Sequence, residues 1–152
     1  MKLSLSFKQK IFSECIKHLD EKIKSLKTIL HDLTEGSGND AKSSAGDKHE
    51  TAMAMMQIEH ENISRQLSEA LNEKNEFVRI ELGEKSHATL GSVIKTNRGY
   101  FFIGIGLGKI TVESIPVIVL STQSPMVKML LGLKTGDSIA MNGEQYVMEE
   151  IL

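Results

Sequence analysis

The sequence predicts an α+β fold: a long antiparallel helical hairpin, then a small twisted antiparallel sheet carrying one short helix. Three observations predict it. Phe12, Ile16, Leu19, Ile23, Leu26, Leu30 and Leu33 fall at alternating spacings of four and three, a heptad seam. A second helical pattern follows a polar turn, so the natural partner of that seam lies in the same chain. From Phe77 onward the period shortens, with Val78, Ile80 and Leu82 interleaved by Arg79 and Glu81, a switch from helix to strand. The change of period divides the chain into 1–78 and 79–152.

The first helix is expected to start near Ser4 or Ser6, either of which caps well, and to run to about Leu33 or Thr34. A rod of that length spans roughly 40 Å. Lys17, Asp20, Lys24 and Lys27 lie off the seam on a solvated face. Glu35 to Gly46, rich in Gly, Ser, Asn and Asp, reads as a loop. The second helix is expected from about Lys48 to Asn75, with Ala52, Met56, Ile63, Leu67 and Ala70 as its apolar positions. One seam position is skipped at Glu59 or His60, while Met53, Met55 and Ile58 broaden the apolar face near the loop. Methionine fills irregular gaps, which accounts for most of that cluster as packing. A short connection makes the two helices antiparallel neighbours.

Beyond residue 78 the strand candidates are Leu90–Thr96, Tyr100–Ile105, Ile110–Val112, Pro116–Ser121, Asp137–Met141 and Gln145–Ile151. Asn97-Arg98-Gly99 and Asn142-Gly143-Glu144 read as tight turns. Ser124 caps and Pro125 opens a short helix that Gly132 stops. Alternating Gly104, Gly106 and Gly108 lack the spacing of a dinucleotide fingerprint and mark a bend or a close backbone approach.

The formal net charge of −2 hides a gradient: residues 1–33 carry seven Lys against four acids, and 34–76 carry nine acids against four bases. No broad basic face of a direct DNA binder is present. The single Cys15 excludes an internal disulfide framework, suggests a reducing compartment and reads as a packed or half-exposed structural thiol rather than a nucleophile. No leader and no apolar stretch of ~20 residues is visible, so a cytoplasmic protein without a membrane partner is expected.

Chemistry is concentrated at the start of the second helix, in Gly46-Asp47-Lys48-His49-Glu50-Thr51-Ala52. Asp47 and Glu50, three residues apart, suit a capping box and the positive end of the helix dipole. The same two carboxylates suit a hard cation such as Mg²⁺, with a partner supplying further ligands. Cap and ligand are compatible, because a carboxylate has two oxygens. Ser13, Ser121 and Ser124 have no His–Asp arrangement that would support a hydrolase triad.

With these features in place the chain resembles the bacterial Gre transcript-cleavage factors. Their tip motif, Gly-Asp-Leu-Ser-Glu-Asn-Ala, is matched at Gly46, Asp47, Glu50 and Ala52, while Lys48, His49 and Thr51 depart from it. Their C-terminal pattern is matched more specifically, by Ser124-Pro125, Leu131-Gly132, Lys134, Gly136-Asp137 and Tyr146 through Ile151. The resemblance implies an FKBP-like C-terminal domain that docks on bacterial RNA polymerase through the segments holding Ser124, Pro125, Lys134, Gly136 and Asp137. It also implies a coiled coil that enters the secondary channel and delivers Asp47 and Glu50 to the active centre. There they would share a Mg²⁺ with the polymerase, which cleaves its own backtracked RNA. On that reading the protein is a monomeric elongation factor with no cofactor of its own, is not itself an enzyme, and meets nucleic acid only indirectly.

Relatives of similar architecture that occupy the channel without promoting cleavage define the alternative. A prolyl isomerase built on the sheet is a third reading. Its pocket would need converging aromatics, and Tyr100, Phe101 and Phe102 are consecutive and cannot share one face of a strand.

Overall fold

The computed structural model describes residues 2–40 and 47–152, and side chains for 2–35 and 50–152. Its elements are α1 (Leu5–Asp40), α2 (Asp47–Phe77), β1 (Val93–Thr96), β2 (Gly99–Gly104), β3 (Gly108–Val112), β4 (Ile115–Ser121), α3 (Pro125–Leu130), β5 (Ser138–Met141) and β6 (Glu144–Ile151). The class is α+β, as expected. The chain divides into two compact units, Met1–Lys17 with Glu76–Leu152, and His18–Asn75.

The unit His18–Asn75 is a helical pair. Ile23, Leu26, Ile63 and Ala70 form its buried core, with Leu30, Leu33 and Leu67 packed against them. Lys74 pairs with Asp20 at 2.5 Å, joining the last turns of α2 to the middle of α1 and fixing the antiparallel sense. The predicted seam is therefore the packed one from Leu19 to Leu33.

In the other unit, α1 starts where Ser4 Oγ accepts from the Phe7 N–H at 3.1 Å, a side-chain cap. Here α1 buries a stripe displaced from the heptad seam: Phe7, Lys8, Ile11 and Cys15. Phe7 meets Tyr100 edge-on at 6.0 Å, and Phe12 stacks on Phe77 at 4.7 Å. Phe77 in turn meets Phe102 edge-on at 6.4 Å. Alternation along β2 turns Phe101 to the opposite side, into a cluster with Ala88, Ile94, Ile103, Val127, Leu130 and Met148. The three consecutive aromatics thus serve two cores, and they do not converge on a pocket.

The strand order is β3-β4-β2-β1-β6-β5. The sheet is mixed, which corrects the expectation of a purely antiparallel one: β2 and β4 pair in parallel, from Tyr100 opposite Val117 to Gly104 opposite Ser121. After β2 the chain passes two places outward to β3, and the β3–β4 hairpin then brings β4 back between them.

Two further expectations are corrected. The alternating Val78–Leu82 segment forms no strand: residues 80–92 are an irregular connection. It is anchored by long-range hydrogen bonds, the Ala88 N–H to the Leu133 carbonyl, the Gly132 N–H to the Ala88 carbonyl and the Gly91 N–H to the Ile103 carbonyl, each at 2.8 Å. Gly91 sits at φ +86°, and a Cβ there would fall 2.5 Å from the Glu81 carbonyl oxygen. Second, α1 does not stop at Thr34. Thr34 Oγ1 donates to the Leu30 carbonyl and His31 lies 3.5 Å from Glu35, supporting one more turn. Gly36 and Gly38 then continue the helix against their propensity. Residues 41–46 of the expected loop lie outside the described residues.

Candidate functional site

The first turn of α2 carries Asp47 and Glu50, so both predicted acids stand at a helix start. Glu50 is exposed. The side chains of Asp47, Lys48 and His49 lie outside the described residues, and with them the capping-box reading. Glu50 offers oxygen, the donor type a hard cation takes. Among the described residues no group of three or more His, Cys, Asp or Glu is placed to hold a metal.

Next to Glu50 the hairpin carries a groove of about 530 Å³, lined by Leu33 of α1 and by Glu50, Met53, Ala54, Met56, Gln57 and His60 of α2. Met53 and Met56 are half-buried and His60 is exposed. On the other side of α2, Met55 is 65% and Ile58 58% exposed, so the methionine cluster is only partly core. Of Glu59 and His60, the two candidates for the skipped seam position, His60 is the one that lines the groove.

The second set of predicted residues lies around α3. Ser124 precedes the helix in extended conformation (φ −63°, ψ 135°), Pro125 opens it, and the Ser124 side chain makes no capping bond. Lys134, Gly136 and Asp137 form a tight turn: the Lys134 N–H donates to Asp137 Oδ2 at 2.8 Å, and the Asp137 N–H returns to the Lys134 carbonyl at 3.0 Å. Gly136, at φ +97°, donates to the Met148 carbonyl at 2.8 Å, and the Met148 N–H donates to the Asp137 carbonyl. This Gly-Asp pair ties the turn to β6. The exposed Lys134 side chain and the exposed Met129 and Leu131 border the same region.

Cys15 is fully buried in α1, and burial, with Glu14 beside it, pushes its thiol up to about 12. It is a packing residue, not a nucleophile. Of the alternating glycines expected to mark a bend or a close approach, Gly104 alone shows the approach: a Cβ there would meet the rings of Phe102 and Phe77 at 2.9 Å, while at Gly106 and Gly108 it would meet nothing within 4 Å. No described helix is long and apolar enough to cross a membrane.

No family model matches the chain, and no curated protein matches it. Among solved structures it is similar to the crystal structure of GreA factor homolog 1 (Gfh1) of Thermus thermophilus, at 17% identity and a TM-score of 0.39, over 90% of this chain and 94% of that one. A superposition that loose carries no argument about function.

Proposed function

We propose that this chain is a Gre-like factor that enters the secondary channel of bacterial RNA polymerase and stimulates the polymerase's own cleavage of backtracked RNA. The observation that carries the reading is the antiparallel helical pair, with α2 beginning at Asp47 and Glu50 exposed in its first turn. In this reading the acids act inside the polymerase. The sequence pattern from Ser124 to Asp137, held by α3 and the turn onto β6, supplies the docking surface in this reading.

Asp47 and Glu50 would hold a Mg²⁺ jointly with the polymerase, and the cation supplies charge neutralisation for phosphoryl transfer. The chain's own part is to place two carboxylates, and it performs no covalent chemistry.

One observation favours a second reading, a channel occupant that modulates transcription without cleavage. Lys48 puts a positive charge between the two acids in sequence, which opposes cation binding. Stalled, backtracked complexes of purified polymerase separate the two. Cleavage stimulation predicts Mg²⁺-dependent shortening of the RNA, falling to the polymerase's intrinsic rate in the Asp47→Ala, Glu50→Ala double variant while polymerase binding persists. Binding and altered pausing without shortening support the second reading. An absence of any binding overturns both.

A further inference from the structure

The groove on the helical pair has a donor set that the proposed function does not use. Its α1 side is Leu33, part of an all-aliphatic seam. Its α2 side replaces the matching aliphatics by Met53 and Met56, and puts His60 where the heptad asks for an apolar residue. Positions 53, 56 and 60 follow at steps of three and four, so successive Cβ atoms lie about 5–6 Å apart on one stripe of the helix. The two methionines are as half-buried as Leu30, Leu33 and Leu67, so they pack like the rest of the pair; what packing does not account for is an exposed imidazole on the same stripe, which adds nothing to a core.

Two thioethers and one imidazole form a soft donor set. Thioethers bind soft ions such as Cu(I) and are poor ligands for Mg²⁺ or Ca²⁺. They carry no proton to displace near neutral pH, and an imidazole serves such an ion equally well. The three donors line one cavity, and long, unbranched methionine side chains can adjust to bring their sulfurs together. Leu33 and Glu50 line the same groove, and Glu50 there offers a negative charge to a monovalent cation.

We infer that Met53, Met56 and His60 form a binding site for a soft monovalent metal ion, Cu(I), on the α2 flank of the helical pair. The ion is bound without change of oxidation state, and the ligands are all from this chain. The inference is independent of the polymerase reading.

The test uses the full chain with [ε-¹³C]methionine, titrated anaerobically with Cu(I) under ascorbate and, in parallel, with Ag(I) in chloride-free buffer. One equivalent is expected to shift the Met53 and Met56 methyls and the His60 ring while leaving Met129 and Met141 in place. Met53→Leu with Met56→Leu conserves volume, so the pair stays folded. That variant is expected to lose the stoichiometric site, and His60→Ala to weaken it by about tenfold or more in competition with a Cu(I) chelator. Methyls unmoved at one equivalent overturn the site. So does an affinity unchanged in the double leucine variant, or binding that disappears in Cys15→Ala instead.

Discussion

Lys8 is fully buried in α1, its ammonium donating to the Gly83 carbonyl at 2.9 Å. Burial, with Lys85 nearby and partly offset by Glu84, brings its pKa from 10.5 down to about 8. Below pH 8 the lysine is charged in both the native and unfolded states, and the cost of burying it is constant. Between about 8 and 10.5 the unfolded chain holds a proton that the native state has released, so stability rises with pH. Cys15 acts in the opposite sense. Its thiol is raised from 9.0 to about 12, so from pH 9 upward the unfolded chain loses a proton the native state keeps, and stability falls. The urea midpoint is expected to climb from pH 8 to 9, flatten, and decline above 10.5. Lys8→Met is expected to remove the climb and Cys15→Ala the decline. A profile that Lys8→Met leaves unchanged contradicts the linkage. The flank of Cys15 marked it as a structural thiol, but the burial of Lys8 was not legible, because the Phe7–Ile11–Cys15 stripe follows a spacing different from the heptad seam and is buried within the unit that holds the sheet.

Turns show where sequence signals suffice. Asn142 (φ +54°) and Gly143 (φ +78°) form the tight β5–β6 turn that Asn-Gly announces. The β3–β4 turn has the same left-handed geometry at Glu113 (φ +51°) and Ser114 (φ +66°), with neither Gly nor Asn to announce it. A left-handed residue with a Cβ costs roughly 1–2 kcal/mol. Part of that cost is offset at Glu113, whose carboxylate pairs with Lys10 of α1. Ser114 gives no such return. Ser114→Gly is therefore expected to stabilise the chain by about 0.5–1 kcal/mol, after the extra entropy of an unfolded glycine. Glu113→Gly relieves the same strain but loses a half-exposed ion pair, so its net effect is expected within about 0.5 kcal/mol of zero. Chemical denaturation of both variants checks the difference, and a destabilised Ser114→Gly contradicts the strain. All six strands and α3 were legible within a few residues, because apolar runs mark them and, everywhere but between β3 and β4, Gly, Asn or Pro marks where they end. Val78–Leu82 alternates too, but no strand pairs with it, and period alone does not supply a partner.

At the scale of the whole chain, the period changes near residue 78, yet one compact unit combines Met1–Lys17 with Glu76–Leu152. Periodicity reports local structure, while a folding unit is defined by who buries whom. Phe77 is fully buried between Phe12 and Phe102, and Phe7, Ile11 and Cys15 are buried with it. A fragment 79–152 loses all of these and exposes the Tyr100 and Phe102 face of the sheet. Burying four side chains of this size contributes roughly 6–12 kcal/mol, as much as the whole stability of an ordinary domain, about 5–15 kcal/mol. The fragment 79–152 is therefore expected not to fold stably. Residues 1–17 joined by a short Gly/Ser linker to 76–152 retain the aromatic chain and its neighbours, and are expected to unfold cooperatively. Circular dichroism against urea on the two proteins decides the matter. Equal midpoints would mean that the sheet and α3 sustain themselves and that the first turns of α1 only lean on them. A cooperative transition in the linked protein alone would make those turns part of the domain's core, so that the helix bearing the predicted seam is anchored from its first residues.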